Sequence, residues 1–515
     1  MFRCAPLPWI VPPGNCAPTD ATPRPPPPHT SVEIPDTHRA IVSPMELPRF
    51  DLVVLGAGPA GLSAAIEAGR LGRRVALVER QRELGGAGLN TGTIPSKTLR
   101  ETALHYSGAL QRGLYGVDFA LSHERIPVER FMVRKEQVLA SEHELLRREL
   151  HEHHVQIVRG TGAFVAPNAL EVRTANGTIV PLHADRFLIA TGSSPRHPAG
   201  FPFEDPDVVD SDTILALDRI PESMTVVGGG VIGCEYASLF AALGVPVTLI
   251  EGKKDILGFL DAEITRVLRE RMRRLGVRFR FEDAVERVVD EPGHGVGVIT
   301  RQGATFRAGK LLVAAGRTGN VTGLGLEAIG VRVDDKQRIV VDERFRTSVP
   351  HVLAAGDVIG PPGLASTSME QGRLAVQCLF GVCERADLAR VLPYGLYTIP
   401  EVGTYGPTED EARAKGLDVV VGRAWYRENA RGQIVGDVSG LLKLVVERPT
   451  RKLLGVHIVG EKATELVHLG QAVVELGGTA DYLARAVMNF PTLSVLYKRA
   501  ALDALAEIDP ARATR

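Results

Sequence analysis

Cysteine is scarce: the 515 residues hold five, Cys4, Cys16, Cys234, Cys378 and Cys383. So few, so scattered, they exclude the disulfide framework of a small secreted domain. Cys378 and Cys383 have a CxxxxC spacing, but the segment Arg373 to Phe380 reads as a buried helix, so both are expected to be small core residues. Neither sign of charge is in surplus, with 60 Lys and Arg against 61 Asp and Glu. That balance argues against a nucleic-acid binder and against an acidic solvating chain. No apolar run reaches the ~20 residues that span a bilayer. Residues 1 to 48 lack helical or strand periodicity and the continuous apolar core of a signal peptide. They are proline-rich, as at Pro25-Pro26-Pro27-Pro28, a composition that stays extended or disordered. Met45 precedes the first strand, so translation is expected to start there, in a cytoplasmic protein.

Glycine is abundant, and much of it falls in phosphate-loop patterns. Asp51 to Leu55 is a short apolar strand; Gly56-Ala57-Gly58-Pro59-Ala60-Gly61 follows, then an amphipathic helix to about Leu71, then a strand from Arg74 to Val78 that ends at Glu79. In such a βαβ unit Gly56 permits the tight turn, Gly58 admits a pyrophosphate to the backbone, and Gly61 allows close helix–strand packing. The helix N-terminus stabilises phosphate charge. Glu79 is placed to accept hydrogen bonds from a ribose.

The pattern recurs. Met224 to Val227 is a strand, Gly228-Gly229-Gly230-Val231-Ile232-Gly233 a second loop, Cys234 to Leu243 a helix, and Val247 to Ile250 a strand ending at Glu251. In both units the acid follows the last loop glycine by 18 residues. Two such units imply two dinucleotides meeting at an interface. Lys253 and Lys254 are either surface charge or partners for a 2′-phosphate, in which case the site admits both NAD(H) and NADP(H).

Between and beyond these units, a helix is expected over about 127 to 152 with Val138, Leu139, Leu145, Leu146 and Leu150 on one face. His151, His153 and His154 close it as a solvated cap, since their spacing does not match a metal-binding helix. Strands follow at Val155 to Val158, Gly162 to Val165 and Arg186 to Ala190, the last entering Thr191-Gly192-Ser193. Leu311 to Val313 leads to Gly316, and Val352 to Ala355 leads to Gly356-Asp357, where Asp357 suits either a ribitol chain or an N-cap. The helix after Leu364-Ala365 is expected from about Ser366, with the positive end of its dipole at that start. From about 391, strands at Leu441 to Val446 and Leu454 to Val459 alternate with helices at Ala463 to Leu476 and Ser494 to Ala506. No third phosphate loop appears there, which suits self-association.

Gly56 to Gly61, Gly85-Gly86, Ile94-Pro95-Ser96-Lys97, Ala190-Thr191-Gly192, Gly228 to Gly233, Gly356-Asp357 and Pro491-Thr492 together resemble the flavin pyridine-nucleotide disulfide oxidoreductases over about 49 to 510. Within that family, Gly92 to Lys97, Gly316-Arg317-Thr318-Gly319-Asn320, Gly356 to Gly360 and Gly460 to His468 are similar to the soluble, Si-specific pyridine nucleotide transhydrogenases. The resemblance implies an α/β fold with two Rossmann-like domains, for FAD and NAD(P), and a C-terminal α/β dimerisation domain. The expected division is a tail over 1–48, FAD domain over 49–198, NAD(P) domain over 199–318, a second FAD part over 319–390, and dimerisation domain over 391–515.

The same resemblance places FAD against Gly56, Gly58, Gly61, Glu79, Arg80, Gly85, Gly86, Gly88, Lys97, Ala163, Thr191, Gly192, Ser193, Asp357, Leu364 and Ala365. It places NAD(P) against Gly228, Gly230, Gly233, Glu235, Glu251, Lys253 and Gly316, with Lys97 and Glu235 paired as the catalytic residues. Two departures stand out. The two redox cysteines of the disulfide reductases fall at Gly88 and Thr93, and their His and Glu helpers fall at Phe490 and Val495. Neither replacement pair can do thiol or proton chemistry. The expected activity is therefore hydride transfer between NADPH and NAD+ through FAD, ping-pong, in a homodimer without a redox disulfide. An NAD(P)H dehydrogenase of diaphorase or quinone type and a non-catalytic flavoprotein sensor are the alternatives. No metal, nucleic acid or membrane partner is expected.

Overall fold

The strand Leu52–Leu55 sits at the centre of a five-stranded parallel sheet, so both its faces are covered and all four residues are apolar and buried. The order across the sheet is Val352–Ala354, Phe187–Ile189, Leu52–Leu55, Val75–Glu79, Gln156–Arg159. A second parallel sheet runs Val208–Val209, Lys310–Val313, Met224–Val227, Val247–Ile250, Val277–Arg280. In each, the strand feeding a glycine loop is central and its successor lies beside it. This computed structural model describes residues 49–108, 126–290, 295–383 and 392–510. The proline-rich tail, Cys4, Cys16, Met45 and the boundary near 390 lie outside them.

Each sheet carries an antiparallel layer. One is Thr161–Ala166, Ala169–Arg173 and Ile179–Ala184; the other is Val285–Asp290, Val296–Thr300 and Thr305–Ala308. The C-terminal part is an antiparallel sheet ordered Tyr394–Leu396, Val402–Tyr405, Leu453–Val459, Leu441–Glu447, Val419–Trp425, with Ala463–Glu475 and Val495–Ile508 packed on it.

The expected helix forms as Val128–Glu152. Of its expected face, Leu150 is buried, Val138, Leu139 and Leu146 are half-buried and Leu145 is exposed; Phe131 and Met132 are buried near its start. One expectation needs correcting. Cys378 and Cys383 are not separate core residues. They are joined as a disulfide across the C-terminal end of helix Ala365–Leu379, and both are half-buried. Two cysteines five apart across a helix end bring their sulfurs together. A helical pattern running up to Phe380 hides that.

The C-terminal sheet is clamped to the second nucleotide unit by a buried lysine. Lys443 Nζ lies 2.9 Å from Asp261, 2.8 Å from Glu409 and 3.4 Å from Glu263, with its side chain 4% exposed. Asp261 is also the N-cap of helix Ala262–Arg274, accepting from the backbone N–H of Glu263 and Ile264. Burial pushes the Asp261 and Glu409 carboxyls up, but the Lys443 ammonium more than offsets this and both end below their ordinary values. The unfolded chain then binds more protons in acid. The clamp's contribution is present above the ordinary carboxylate pKa of about 4 and is lost as pH falls through the lower folded values. Lys443→Met is expected to cost about 3–5 kcal/mol by leaving carboxylates buried without a cation. It should also flatten the acid limb of a plot of urea midpoint against pH. An unchanged midpoint and limb would show that the clamp contributes nothing.

Candidate dinucleotide sites

The two glycine loops are the same device built twice. Gly56 has φ +100° and Gly228 φ +109°, the left-handed half of backbone space that favours glycine. A Cβ on Gly56 would lie 2.4 Å from the Ala190 carbonyl oxygen, and one on Gly228 2.4 Å from that of Ala314. A Cβ on Gly61 would lie 1.9 Å from the Gly56 oxygen, and one on Gly233 1.9 Å from the Gly228 oxygen. The middle glycines differ. A Cβ on Gly58 finds nothing nearer than Gly86 Cα at 3.9 Å, and one on Gly230 finds nothing within 4 Å. The outer glycines are thus demanded by the chain itself, and the middle one faces open space. That space is where a pyrophosphate fits, over the N-termini of helices Pro59–Arg70 and Val231–Ala242. The residues present fit a dinucleotide at both loops.

Each acid braces its loop. Glu79 accepts from the Ala57 N–H at 2.8 Å and the Gln81 N–H at 2.8 Å; Glu251 accepts from Gly229 at 2.5 Å and Lys253 at 2.9 Å. Lone pairs remain on each carboxylate for a ribose hydroxyl. Lys253 and Lys254 are exposed, as is Arg80. Ala163 is half-buried within the strand Thr161–Ala166, and Gly316 is open at φ +97°.

Other expected flavin-site residues meet one another. Ser193 Oγ donates to Asp357 at 2.8 Å, and Thr191 Oγ1 donates to the Asn320 carbonyl at 2.8 Å. The helix after Leu364 starts at Ala365. Arg317, to which its motif Gly316 to Asn320 assigned no role, donates to Ser193 Oγ at 2.8 Å and to its carbonyl at 2.7 Å. It lies on Arg317–Gly319, which pairs antiparallel with Ser193–Pro195 and ties the two units at their crossing.

The expected Lys97–Glu235 pair is present at 2.7 Å. Lys97 stands on the first turns of helix Thr93–Ser107, and Glu235 on Val231–Ala242, a helix buried nearly all round. Glu235 also accepts from the Tyr397 N–H at 2.9 Å, and the Lys97 ammonium lies 5.1 Å from the Tyr397 ring centroid. One carboxylate therefore joins both nucleotide units to the C-terminal sheet. Burial, then the Glu401 charge, raises the Tyr397 phenol's pKa. Beside this knot Arg100 pairs with Glu401 at 3.3 Å and donates to the Thr398 carbonyl at 3.2 Å. Tyr397 was not legible, because Gly395 to Thr398 carries no motif.

Ahead of Lys97, residues Ala87–Thr91 form one π-helical turn. A Cβ on Gly88 would lie 2.6 Å from Pro59 Cγ. Phe490 is 76% exposed and Val495 opens the last helix. The Cys378–Cys383 disulfide closes the far end of a 15-residue helix that begins at Ala365, about 22 Å away at 1.5 Å per residue. Cys234 is a free, buried thiol whose pKa burial pushes up, which makes it inert.

Two braced phosphate loops, a Lys–Glu pair where they meet and an appended antiparallel domain define a two-dinucleotide oxidoreductase fold. The chain belongs to the pyridine nucleotide-disulphide oxidoreductase family: that family's model matches residues 50–372, and its dimerisation domain matches 392–501. FAD and NAD(P)H are the cofactor and substrate that this membership implies. A soluble pyridine nucleotide transhydrogenase of Mycobacterium bovis (strain BCG / Pasteur 1173P2) is 46% identical over 458 residues, covering 88% of this chain and 97% of that one. One from Yersinia enterocolitica is 38% identical, covering 88% and 98%. Among solved structures, the HOCl-induced flavoprotein disulfide reductase RclA from Escherichia coli has a TM-score of 0.79 at 27% identity, covering 88% of this chain and 99% of that one. LpdA from Mycobacterium tuberculosis has a TM-score of 0.80 at 28% identity, covering 88% and 98%. No described helix is long and apolar enough to cross a membrane.

Proposed function

We propose that this chain exchanges hydride between NADPH and NAD+, with FAD as carrier, in a cytoplasmic homodimer joined through the C-terminal domain. The two nucleotides use the second phosphate loop in turn, which makes the kinetics ping-pong. The observation that carries this reading is the sulfur-free stretch beside two intact dinucleotide loops. Gly88 and Thr93 offer no thiol, and Pro59 fills the space a side chain at 88 would need. Disulfide exchange needs sulfur. The transhydrogenase names of relatives at 38–46% identity support the same reading.

When bound, FAD supplies a centre that takes up and returns two electrons with a proton. The protein's part is binding and electrostatics. Gly58 and the helix N-terminus after it receive one pyrophosphate, Gly230 and its helix the other. Ser193 fixes the Asp357 carboxylate for the ribitol. Glu235 holds the Lys97 ammonium in one place, so that a fixed positive charge favours a more electron-rich flavin. Glu251 accepts from a ribose hydroxyl, while Lys253 and Lys254, free of carboxylate partners among the described residues, are available to a 2′-phosphate.

Anaerobic mixing of the flavin-loaded protein with NADPH and then with an NAD+ analogue of distinct absorbance tests this. Flavin bleaching followed by quantitative reduction of the analogue is expected. Bleaching without transfer would leave an NAD(P)H dehydrogenase with another acceptor, and no bleaching a nucleotide sensor.

A further inference from the structure

A cleft of about 520 Å³ opens between helix Ala262–Arg274 and the end of the strand Val419–Trp425. Arg266, Arg269, Arg271, Arg273, Arg274 and Arg427 line it against a single lining carboxylate, Glu270. None of its lining residues belongs to either phosphate loop or to the Lys97–Glu235 pair. Helix polarity favours cations in a last turn, which accounts for Arg271, Arg273 and Arg274. It does not account for Arg266 and Arg269 further up, nor for Arg427 arriving from the other side.

The carboxylates at hand are too few for these cations. Arg269 pairs with Asp255, and Arg274 with Glu270 at 3.2 Å. Arg266 reaches Glu263 at 3.7 Å, but Arg423 holds that carboxylate at 2.9 Å and Lys443 lies 3.4 Å from it. Arg427 lies 3.8 Å from the exposed Glu428. Arg271 has no carboxylate within ion-pair distance among the described residues. The remaining wall is apolar: Val267, Val438 and the Trp425 ring, over which the Arg427 guanidinium lies at 4.4 Å. Ser439 Oγ, in the same wall, has no hydrogen-bond partner among the described residues. The volume suits a small molecule. Guanidinium forks match phosphate oxygens, and a flat ring beside a cation-capped indole suits a second flat ring.

We infer that this cleft is a second ligand site, for a nucleoside polyphosphate, with the base against Trp425 and the phosphates on the arginines of Ala262–Arg274. Because that helix follows Glu251 and starts at the Lys443 clamp, a ligand here would bear on the nucleotide unit from behind rather than compete at its loop.

The chain has two tryptophans, Trp9 and Trp425, so Trp9→Phe makes Trp425 the sole indole. The test is titration of that full-length, flavin-loaded variant with ATP, exciting at the red edge of indole absorbance, in low salt and with saturating NAD+ filling the main loop. Saturable quenching at one site per chain is expected, with inorganic tripolyphosphate weaker and adenosine inactive. Arg271→Ala with Arg274→Ala should raise the apparent Kd at least about tenfold, as should a move from low salt to several tenths molar. Trp425→Phe, followed calorimetrically, should reduce the preference for ATP over tripolyphosphate. Absence of saturable quenching, or an equal Kd in the double variant, would overturn the proposal. So would a shift of the double variant from dimer to monomer in sedimentation, which would make the cleft a subunit contact.

Discussion

Gly61→Ala is expected to leave the purified protein almost colourless. The added Cβ would sit 1.9 Å from the Gly56 carbonyl oxygen, a backbone atom that moves only if the whole loop opens. Overpacking of this kind costs about 1–3 kcal/mol or more. If that cost falls on the flavin-competent loop, affinity drops by about ten- to a hundredfold. The measurement is the ratio of flavin to protein absorbance after gel filtration, with free FAD added back. Gly58→Ala is the comparison that makes the result informative. Its Cβ meets nothing nearer than 3.9 Å, so the apo protein should melt as the parent does while flavin affinity still falls. If Gly61→Ala retains full flavin, or Gly58→Ala unfolds, the division between glycines the chain needs and the glycine the ligand needs is wrong.

Glu235→Ala is expected to lower turnover by about 10²-fold, the usual size of effect when one fixed electrostatic partner is removed from a site. Glu235 is 9% exposed and holds both the Lys97 ammonium and the Tyr397 N–H. Truncation leaves a half-buried cation and a backbone donor without their acceptor, a loss that typically costs several kcal/mol. Glu235→Gln separates the two roles. The amide oxygen can still accept from Tyr397, so stability should largely return while the charge beside Lys97 does not. A flavin reduction potential shifted in both variants, with the melting temperature restored only in Gln, is the expected signature. Full activity in Glu235→Gln would reduce the pair to a structural tie.

What the sequence made legible was local. Both phosphate loops could be placed because turn geometry, close packing and helix polarity act within about 20 residues of chain. The Lys97–Glu235 contact spans 138 residues, and it was accessible through the motif around Lys97, not through periodicity. Tyr397 was missed because its role is set by the docking of the C-terminal sheet, which leaves no local pattern. Arg317 stood within a recognised motif, but its bonds to Ser193 are made by a strand crossing that the motif does not show. The Cys378–Cys383 bond was misread for the opposite reason: a strong helical pattern suggested interior residues, while the bond forms where the helix ends. The arginine cleft needed the fold as well, since Arg427 reaches it from a different part of the chain.

The closeness of position 88 to Pro59 bears on whether sulfur could be put back at the site. Pro59 is the first residue of helix Pro59–Arg70, proposed above to receive the first pyrophosphate, and its ring occupies the volume a side chain at 88 would fill. Restoring a thiol at 88 by a single codon change would press sulfur-bearing carbon into that ring. Removing the ring first would give up the proline that pre-sets the helix's opening turn. Each half-step is disfavoured alone. Gly88→Cys alone is therefore expected to strain the helix's opening turn rather than to supply a usable thiol there.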